Sequence, residues 1–262
     1  MNFNPRNTNP RSMVSSMSDA SELAVRTSVV IPCFNEEGNL KTLKERLETI
    51  LMKVGNLDVV LVDNGSNDST RAQIVQIAEQ LPRTTAVLVN LNIGYGNGIK
   101  EGLRAAEGQV VGWTHADLQT DPNDIVIGIG LLGQEAEMFI KGTRIGRPIL
   151  DRAFTMGMSV LESILFKMNL RDINAQPTLF GRGLLEDVLL GPDDFSLDLH
   201  VMIKAKKRGF KEVRFPVAFG TRVWGESAWN TSLSSRLRFI KRTVSFSFKL
   251  RKDMRASVNC RT

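Results

Sequence analysis

Thr27-Ser28-Val29-Val30-Ile31-Pro32-Cys33-Phe34-Asn35-Glu36-Glu37 is a short β-branched run that breaks off into polar residues. β-Branched side chains suit a buried, pleated backbone. Leu40, Leu43, Leu47, Ile50 and Leu51 follow at the 3.6-residue period of a helix. The opening is therefore a strand followed by a helix, and the pattern continues outward from it. Asp58 to Val62 reads as a strand, Asp68 to Gln80 as a helix, Ala86 to Val89 as a strand and Gly98 to Ala106 as a helix. Val110 to Thr114, Pro122 to Leu132 and Met138 to Ile140 extend the series. Such alternation predicts an α/β fold with a mostly parallel central sheet covered by helices on both faces.

In open sheets of this kind, ligands bind beyond the C-terminal ends of the strands. Polar residues cluster at those ends. Pro32 to Glu37 follows the first strand, Asp63 to Thr70 the second and His115 to Pro122 the fourth. After Gly142 the pattern shifts to longer helices, Ile149 to Met168 and Asp198 to Arg208, separated by Asp172 to Arg182 and followed by a strand from Lys211 to Val217. This half is expected to cover the site.

The 262 residues are enough for one large domain with appendages. With 42% hydrophobic and 24% charged residues, the chain is neither a disordered nor a collagen-like composition. Cys33 and Cys260 lie far apart with no CxxC or Cys/His spacing, which suggests neither a zinc site nor a disulfide framework and fits a reducing, cytoplasmic setting. Residues 1–25 are Ser-, Asn- and Arg-rich with no apolar core and read as a disordered leader, not a signal peptide. The run from Ala153 to Leu170 is interrupted by Glu162 and Lys167 and falls short of the ~20 apolar residues of a membrane span.

The net charge of +6 would suit nucleic acid, an anionic membrane or phosphorylated small molecules. Nucleic acid is set aside because the basic residues follow no RNA-recognition or helix-turn-helix pattern. The charge concentrates near the end of the chain. There Leu233, Leu237, Ile240 and Val244 share one helical face, with Arg236, Arg238, Lys241, Arg242 and Lys249 around it. Together with Phe239, Phe246 and Phe248, this basic amphipathic segment (229–262) could lie on an anionic membrane or pack as a core helix with a wet face.

His115, Asp117 and Gln119 alternate, so in an extended segment their side chains would share one side. Imidazole, carboxylate and amide oxygen could together hold one divalent ion, and this oxygen-rich set suits Mg2+ or Mn2+. Asp117 to Pro122 is equally readable as a turn and helix cap, with Asp121 or Thr120 capping. Asp63 ends a strand before Asn64-Gly65, a common turn dipeptide. Asn92 to Gly98 carries three glycines at alternate positions but lacks the dinucleotide fingerprint spacing. Asp198 is open to two readings, a base or a helix cap and ion-pair partner.

Taken together, Val30 to Glu37, Val62-Asp63-Asn64-Gly65-Ser66, Ala116-Asp117-Leu118-Gln119, Lys141-Gly142-Thr143-Arg144 and Gly225-Glu226-Ser227 resemble the ordered motifs of family 2 glycosyltransferases of the GT-A fold. Within that family the chain is most similar to dolichyl-phosphate mannose synthases and bacterial polyprenyl-phosphate glycosyltransferases. The resemblance covers Ser28 to Ser227 and implies a GT-A domain at 26–228. It implies that Pro32, Phe34, Asn35, Glu36, Asp63, Gly65, Ser66 and Asn92 surround a UDP- or GDP-sugar. By the same resemblance, Asp117 with Gln119 holds metal and diphosphate, Arg144 and Arg222 face phosphates, and Asp198 is the base or acceptor-side carboxylate. The acceptor would be a polyprenyl phosphate or a glycan, and the sugar carbon would be inverted.

Three features depart from the family pattern. Asn64 replaces the second Asp of the turn, His115 the first Asp of the metal segment, and Asp172 to Pro177 a differently composed acceptor segment. The expectation is a metal-assisted glycosyltransferase in the cytoplasm, peripheral on the inner face of the membrane. The alternative is a catalytically silent nucleotide-sugar-binding regulator or scaffold.

Overall fold

The structure, a computed structural model, describes residues 25–132, 137–147, 149–222, 224 and 240–252. Its frame is a seven-stranded sheet: β1 (Thr27–Cys33), β2 (Leu57–Asn64), β3 (Thr84–Val89), β4 (Val110–Trp113), β5 (Met138–Ile145), β6 (Thr178–Gly181) and β7 (Lys211–Ala218). The spatial order is β3-β2-β1-β4-β6-β5-β7, and β6 alone runs against its neighbours. The expected mostly parallel sheet is thus present. The helices are α1 (Glu37–Lys53), α2 (Thr70–Gln80), α3 (Tyr95–Ala105), α4 (Asp124–Gly130), α5 (Ile149–Phe166), α6 (Leu185–Leu189) and α7 (Leu197–Lys207). Residues 240–252 form a further helix, α8.

Alternation along the strands divides the core in two. Val29, Ile31 and Cys33 face the leucines of α1 and Ile74 of α2, while Val30 faces Ile99 and Leu103 of α3. Both faces of the sheet are therefore dry, as a parallel sheet requires. At about 25 cal/mol per Å2 of apolar area, burying these side chains is the principal force holding the helices on the sheet.

The chain moves from β1 outward to β2 and β3, then returns to β4 on the other side of β1. This reversal opens a crevice between the C-terminal ends of β1 and β4. It is widened because pairing of β1 with β4 stops at Val30 and Trp113, whereas pairing with β2 runs on to Cys33 and Asp63. Pro32, which has no N–H to give a ladder, sits in this one-sided stretch.

Several boundaries differ from the sequence-based expectation. The helix expected from Gly98 begins at Tyr95, so Gly94 caps it and Gly96 and Gly98 lie within it. A Cβ at Gly96 would come within 2.4 Å of the Pro192 carbonyl, so this first turn packs closely against the 190s loop. The strand expected from Met138 to Ile140 continues to Ile145, which puts Lys141 and Arg144 on a strand. β6 lies inside the stretch read only as a separation between helices. The leader, Cys260, the Gly225-Glu226-Ser227 motif and, of the basic amphipathic segment, residues 229–239 and 253–262 lie outside the described residues.

Candidate active site

The strand exits are joined to each other before any ligand is considered. Asn35, at φ 54°, takes the Asn67 N–H on its side-chain oxygen (2.9 Å) and gives its own N–H to Ser66 Oγ (3.1 Å). Glu36 N–H donates to Thr70 Oγ1 at 2.8 Å, and Glu37 accepts from Ser69 Oγ at 2.7 Å. Gly65, at φ 76°, is a position where a Cβ would lie 2.6 Å from the Asn92 nitrogen, so the turn after β2 presses against Asn92. Asp63 is fully buried, accepts from Arg71 Nε at 2.8 Å and takes the Ser66 N–H at 3.1 Å. Asn64 donates to the Gly94 carbonyl at 3.0 Å, a bond that an aspartate could not make.

A cavity of about 510 Å3 lies beyond these exits. Pro32, Phe34, Glu36 and Asn92 line it, as do His115, Asp117, Gln119, Arg144, Asp198 and Arg222. Asn35, Asp63, Gly65 and Ser66 are not among the residues that line it. Ten of the sequence-predicted residues thus meet in one space.

The His115–Gln119 segment reaches this space by a different geometry from the extended one expected. Leu118 has φ 55°, and Asp117 Oδ1 accepts the Gln119 N–H at 3.1 Å, so the segment is a turn. Gln119 leans away to donate to the Gly220 carbonyl at 3.3 Å. Asp117 Oδ2 faces His115 Nδ1 at 3.8 Å and Arg222 at 3.6 Å. Arg222 also pairs with Glu36 at 2.8 Å, linking the β1 and β4 exits across the crevice. Burial raises the Glu36 carboxyl above its ordinary pKa against the pull of Arg222. Burial also holds His115 below the ordinary imidazole value, opposed by Asp117 and Asp198, so the ring is neutral at pH 7.

Behind His115 runs a polar chain that sequence reasoning missed. Tyr95 OH lies 2.9 Å from His115 Nε2 and accepts from Gln176 Nε2 at 3.3 Å. Gln176 also donates to Asp198 Oδ1 at 3.2 Å, and Lys141 Nζ pairs with the same oxygen at 3.1 Å. Tyr95 stacks on Phe195 with ring centroids 4.6 Å apart. The available signal was that Tyr95 is the chain's single tyrosine and stands among glycines. Asp198 and Lys141 are both essentially inaccessible, and burial lowers the Lys141 ammonium pKa while Asp198 opposes that. The ion-pair reading of Asp198 therefore holds alongside its place on the cavity.

Arg144 is bound to Asp172 through Nε at 2.8 Å, and its guanidinium and that of Arg147 each stand 5.4 Å from the Phe219 ring centre. Trp224 rests on Gly38, where a Cβ would meet its ring at 2.2 Å. Asp121 accepts the Asn123 N–H at 3.0 Å and so shapes the turn into α4.

Residues 28–180 match the family model described as glycosyl transferase family 2. A dolichol-phosphate mannosyltransferase of Pyrococcus furiosus is 25% identical over 244 residues, 89% of this chain and 68% of that protein. An undecaprenyl-phosphate 4-deoxy-4-formamido-L-arabinose transferase of Pectobacterium atrosepticum is 40% identical over 100 residues, 37% of this chain. The chain covers only 31% of that second relative's length. Among solved structures, glucosyl-3-phosphoglycerate synthase of Mycobacterium tuberculosis, in complex with Mn2+, UDP-glucose and phosphoglyceric acid, superposes with a TM-score of 0.68. It is 17% identical, with 95% of this chain and 86% of that chain covered. A mannosyltransferase of Pyrobaculum calidifontis in complex with GDP-mannose and Mn2+ gives 0.55 at 22% identity, over 83% of this chain and 66% of that one.

Proposed function

The chain belongs to glycosyl transferase family 2 and has the GT-A fold, and on that premise we propose that it moves a sugar from a UDP- or GDP-sugar to a polyprenyl phosphate or a growing glycan, with inversion. The observation that carries this reading is the convergence of Glu36, Asp117 and Arg222 on the crevice between β1 and β4. The names of the Pyrococcus and Pectobacterium relatives support a polyprenyl-phosphate acceptor, and the Mycobacterium and Pyrobaculum complexes support a nucleotide-sugar donor.

The donor set fits a divalent ion. Neighbouring ligands of an octahedral ion at ~2.1 Å lie roughly 3.0 Å apart; Asp117 Oδ2 and His115 Nδ1 are 3.8 Å apart, so closing by under about 1 Å would let both hold it. With Nε2–H donating to the Tyr95 hydroxyl oxygen, Nδ1 would keep its lone pair for the ion, the arrangement that an outer hydrogen-bond acceptor imposes on a ligating histidine. His115 and Asp117 would hold the ion with Gln119 beside them. When bound, it supplies Lewis-acid neutralisation of a departing diphosphate.

The other roles fall to the chain itself. Pro32, Phe34 and Asn92 border the nucleoside, and Asn35, Asp63, Gly65 and Ser66 hold the loops after β1 and β2 in shape. Arg222 and Arg144 offer guanidinium N–H groups to phosphate oxygens. The acceptor oxygen bonds to the sugar carbon as the bond from that carbon to the diphosphate breaks. A phosphate acceptor is already anionic and needs no base, whereas a glycan hydroxyl would yield its proton to Asp198.

Among the described residues no helix is long and apolar enough to cross a membrane. Peripheral contact with the inner face of an anionic membrane rests on two surfaces. α5 exposes Met156, Val160, Leu161 and Ile164 on one face, and α8 exposes Phe248 beside Lys241 and Lys249.

A donor panel with product identification, run with and without Mn2+ and lipid phosphate, tests the function. Release of UDP or GDP, suppressed in Asp117→Ala, is the expected result. Absence of donor binding across the panel by calorimetry would reject it. The replacement of family aspartates by Asn64 and His115 favours one second reading, a silent nucleotide-sugar binder, which predicts tight donor binding without turnover.

A further inference from the structure

One wall of the cavity serves none of the roles above. Thr155, Met158, Ser159 and Glu162 are spaced along a single face of α5, and all four line the cavity, as do Arg242 and Thr243 of α8. Glu162 is fully buried. Its Oε1 accepts from Ser247 Oγ at 2.7 Å, but its Oε2 meets no hydrogen-bond partner, and neither does the hydroxyl of Ser159, a residue only 7% exposed. Buried polar atoms without partners are uncommon because each forfeits its solvation. Here two of them belong to residues one helical turn apart on the cavity wall.

We infer that this wall is a sugar-hydroxyl subsite, in which Glu162 Oε2 and Ser159 Oγ bind adjacent hydroxyls of one sugar ring. The inference rests on the glycosyltransferase reading and adds to it where the sugar is recognised. The chemistry of the wall narrows the ligand. A carboxyl repels phosphate and gains nothing from a hydrocarbon tail, whereas a sugar hydroxyl can both donate to it and accept from Ser159. Burial raises the Glu162 carboxyl pKa against the hydrogen bond from Ser247, so it retains a proton further toward neutrality and can also donate. The wall is long enough for a glycosyl phosphate. Thr155 Oγ1 accepts from Arg147 at 2.9 Å at one end of the wall, and Glu162 stands seven residues on, ~10 Å along a helix. A phosphate near Arg147 would put an attached hexose alongside Ser159 and Glu162.

The sugar could be the donor's own or that of a glycan acceptor, and the test separates them. With the full chain and Mn2+, calorimetry of UDP-glucose against UDP, and of GDP-mannose against GDP, is run for wild type, Ser159→Ala and Glu162→Gln. Initial rates are measured with methyl glucoside and with a short-chain polyprenyl phosphate as acceptors. If the donor's sugar is held here, each substitution weakens binding of the preferred sugar nucleotide about tenfold while nucleotide affinity stays within about twofold. If an acceptor sugar is held here, donor affinities are unchanged and the KM for methyl glucoside rises about tenfold, with that for polyprenyl phosphate unmoved. Equal sugar-nucleotide affinities and equal KM values in all three proteins overturn the subsite alone. Wild type that binds neither nucleotides nor sugar nucleotides overturns the donor reading and the subsite with it. Should Glu162→Gln fail to fold through loss of the Ser247 contact, Ser159→Ala decides, since it deletes an oxygen with no protein partner.

Discussion

Replacing Lys141 with methionine probes the polar centre behind the cavity. Lys141 Nζ bonds Asp198 Oδ1 at 3.1 Å and Thr178 Oγ1 at 2.8 Å, and the two ionic side chains are 0% and 1% exposed. Methionine fills nearly the same volume but strands the carboxylate. Removing one member of a buried pair costs about 3–5 kcal/mol because the other charge is left uncompensated. Asp198 keeps two amide donors, Gln176 Nε2 at 3.2 Å and Asn174 Nδ2 at 3.5 Å. The lower end therefore applies, and Lys141→Met should lose about 3 kcal/mol in urea unfolding followed by circular dichroism. In a chain of this size that lowers Tm by roughly 6–12 °C. The double variant Lys141→Met, Asp198→Asn removes the stranded charge and should return to within about 1 kcal/mol of wild type. A single variant within 1 kcal/mol of wild type, or a double variant whose loss equals the sum of the two single losses, would refute the argument.

Asn64→Asp turns a donor into an acceptor 3.0 Å from the Gly94 carbonyl in a buried turn. It should cost about 1–3 kcal/mol, and an unchanged or raised Tm would count against that bond. Burial and Asp121 raise Asp124 from 3.8 to about 7. A raised carboxyl favours the protonated fold, so its contribution is complete below pH 3.8 and is lost as pH rises through 7. Asp124→Asn should therefore gain on wild type between pH 4 and about 7, by about 2 kcal/mol after allowance for solvent screening. A gap in unfolding free energy that is flat with pH would contradict it. His115→Asp supplies a second carboxylate beside Asp117 and should tighten Mn2+ binding about tenfold by calorimetry; equal or weaker binding would place the ion elsewhere.

The parallel half of the fold was legible in the sequence because its strands are continuous β-branched runs whose neighbours follow in chain order. β6 was not: Thr178 to Gly181 is four residues, and its antiparallel place between β4 and β5 depends on long-range pairing that leaves no periodic trace. The helix expected from Gly98 starts three residues earlier, at Tyr95, because close packing against the 190s loop demands glycine inside its first turn. Asp117 and Glu36 were legible through their motifs, and Arg222 through the family resemblance alone. Tyr95, Gln176 and Lys141 form their network across separations of up to 81 residues, and no local spacing announces it. The alternation rule placed His115, Asp117 and Gln119 together for the wrong reason, because Leu118 at φ 55° turns the segment.

The contacts that join Asn35, Glu36 and Glu37 to Ser66, Asn67, Ser69 and Thr70 make two loops into one mechanical unit. A change of donor base engineered on one loop alone would misplace the other. Grafting between relatives should therefore carry residues 32–37 and 63–70 as a single cassette, and natural drift in either loop should be constrained by its partner.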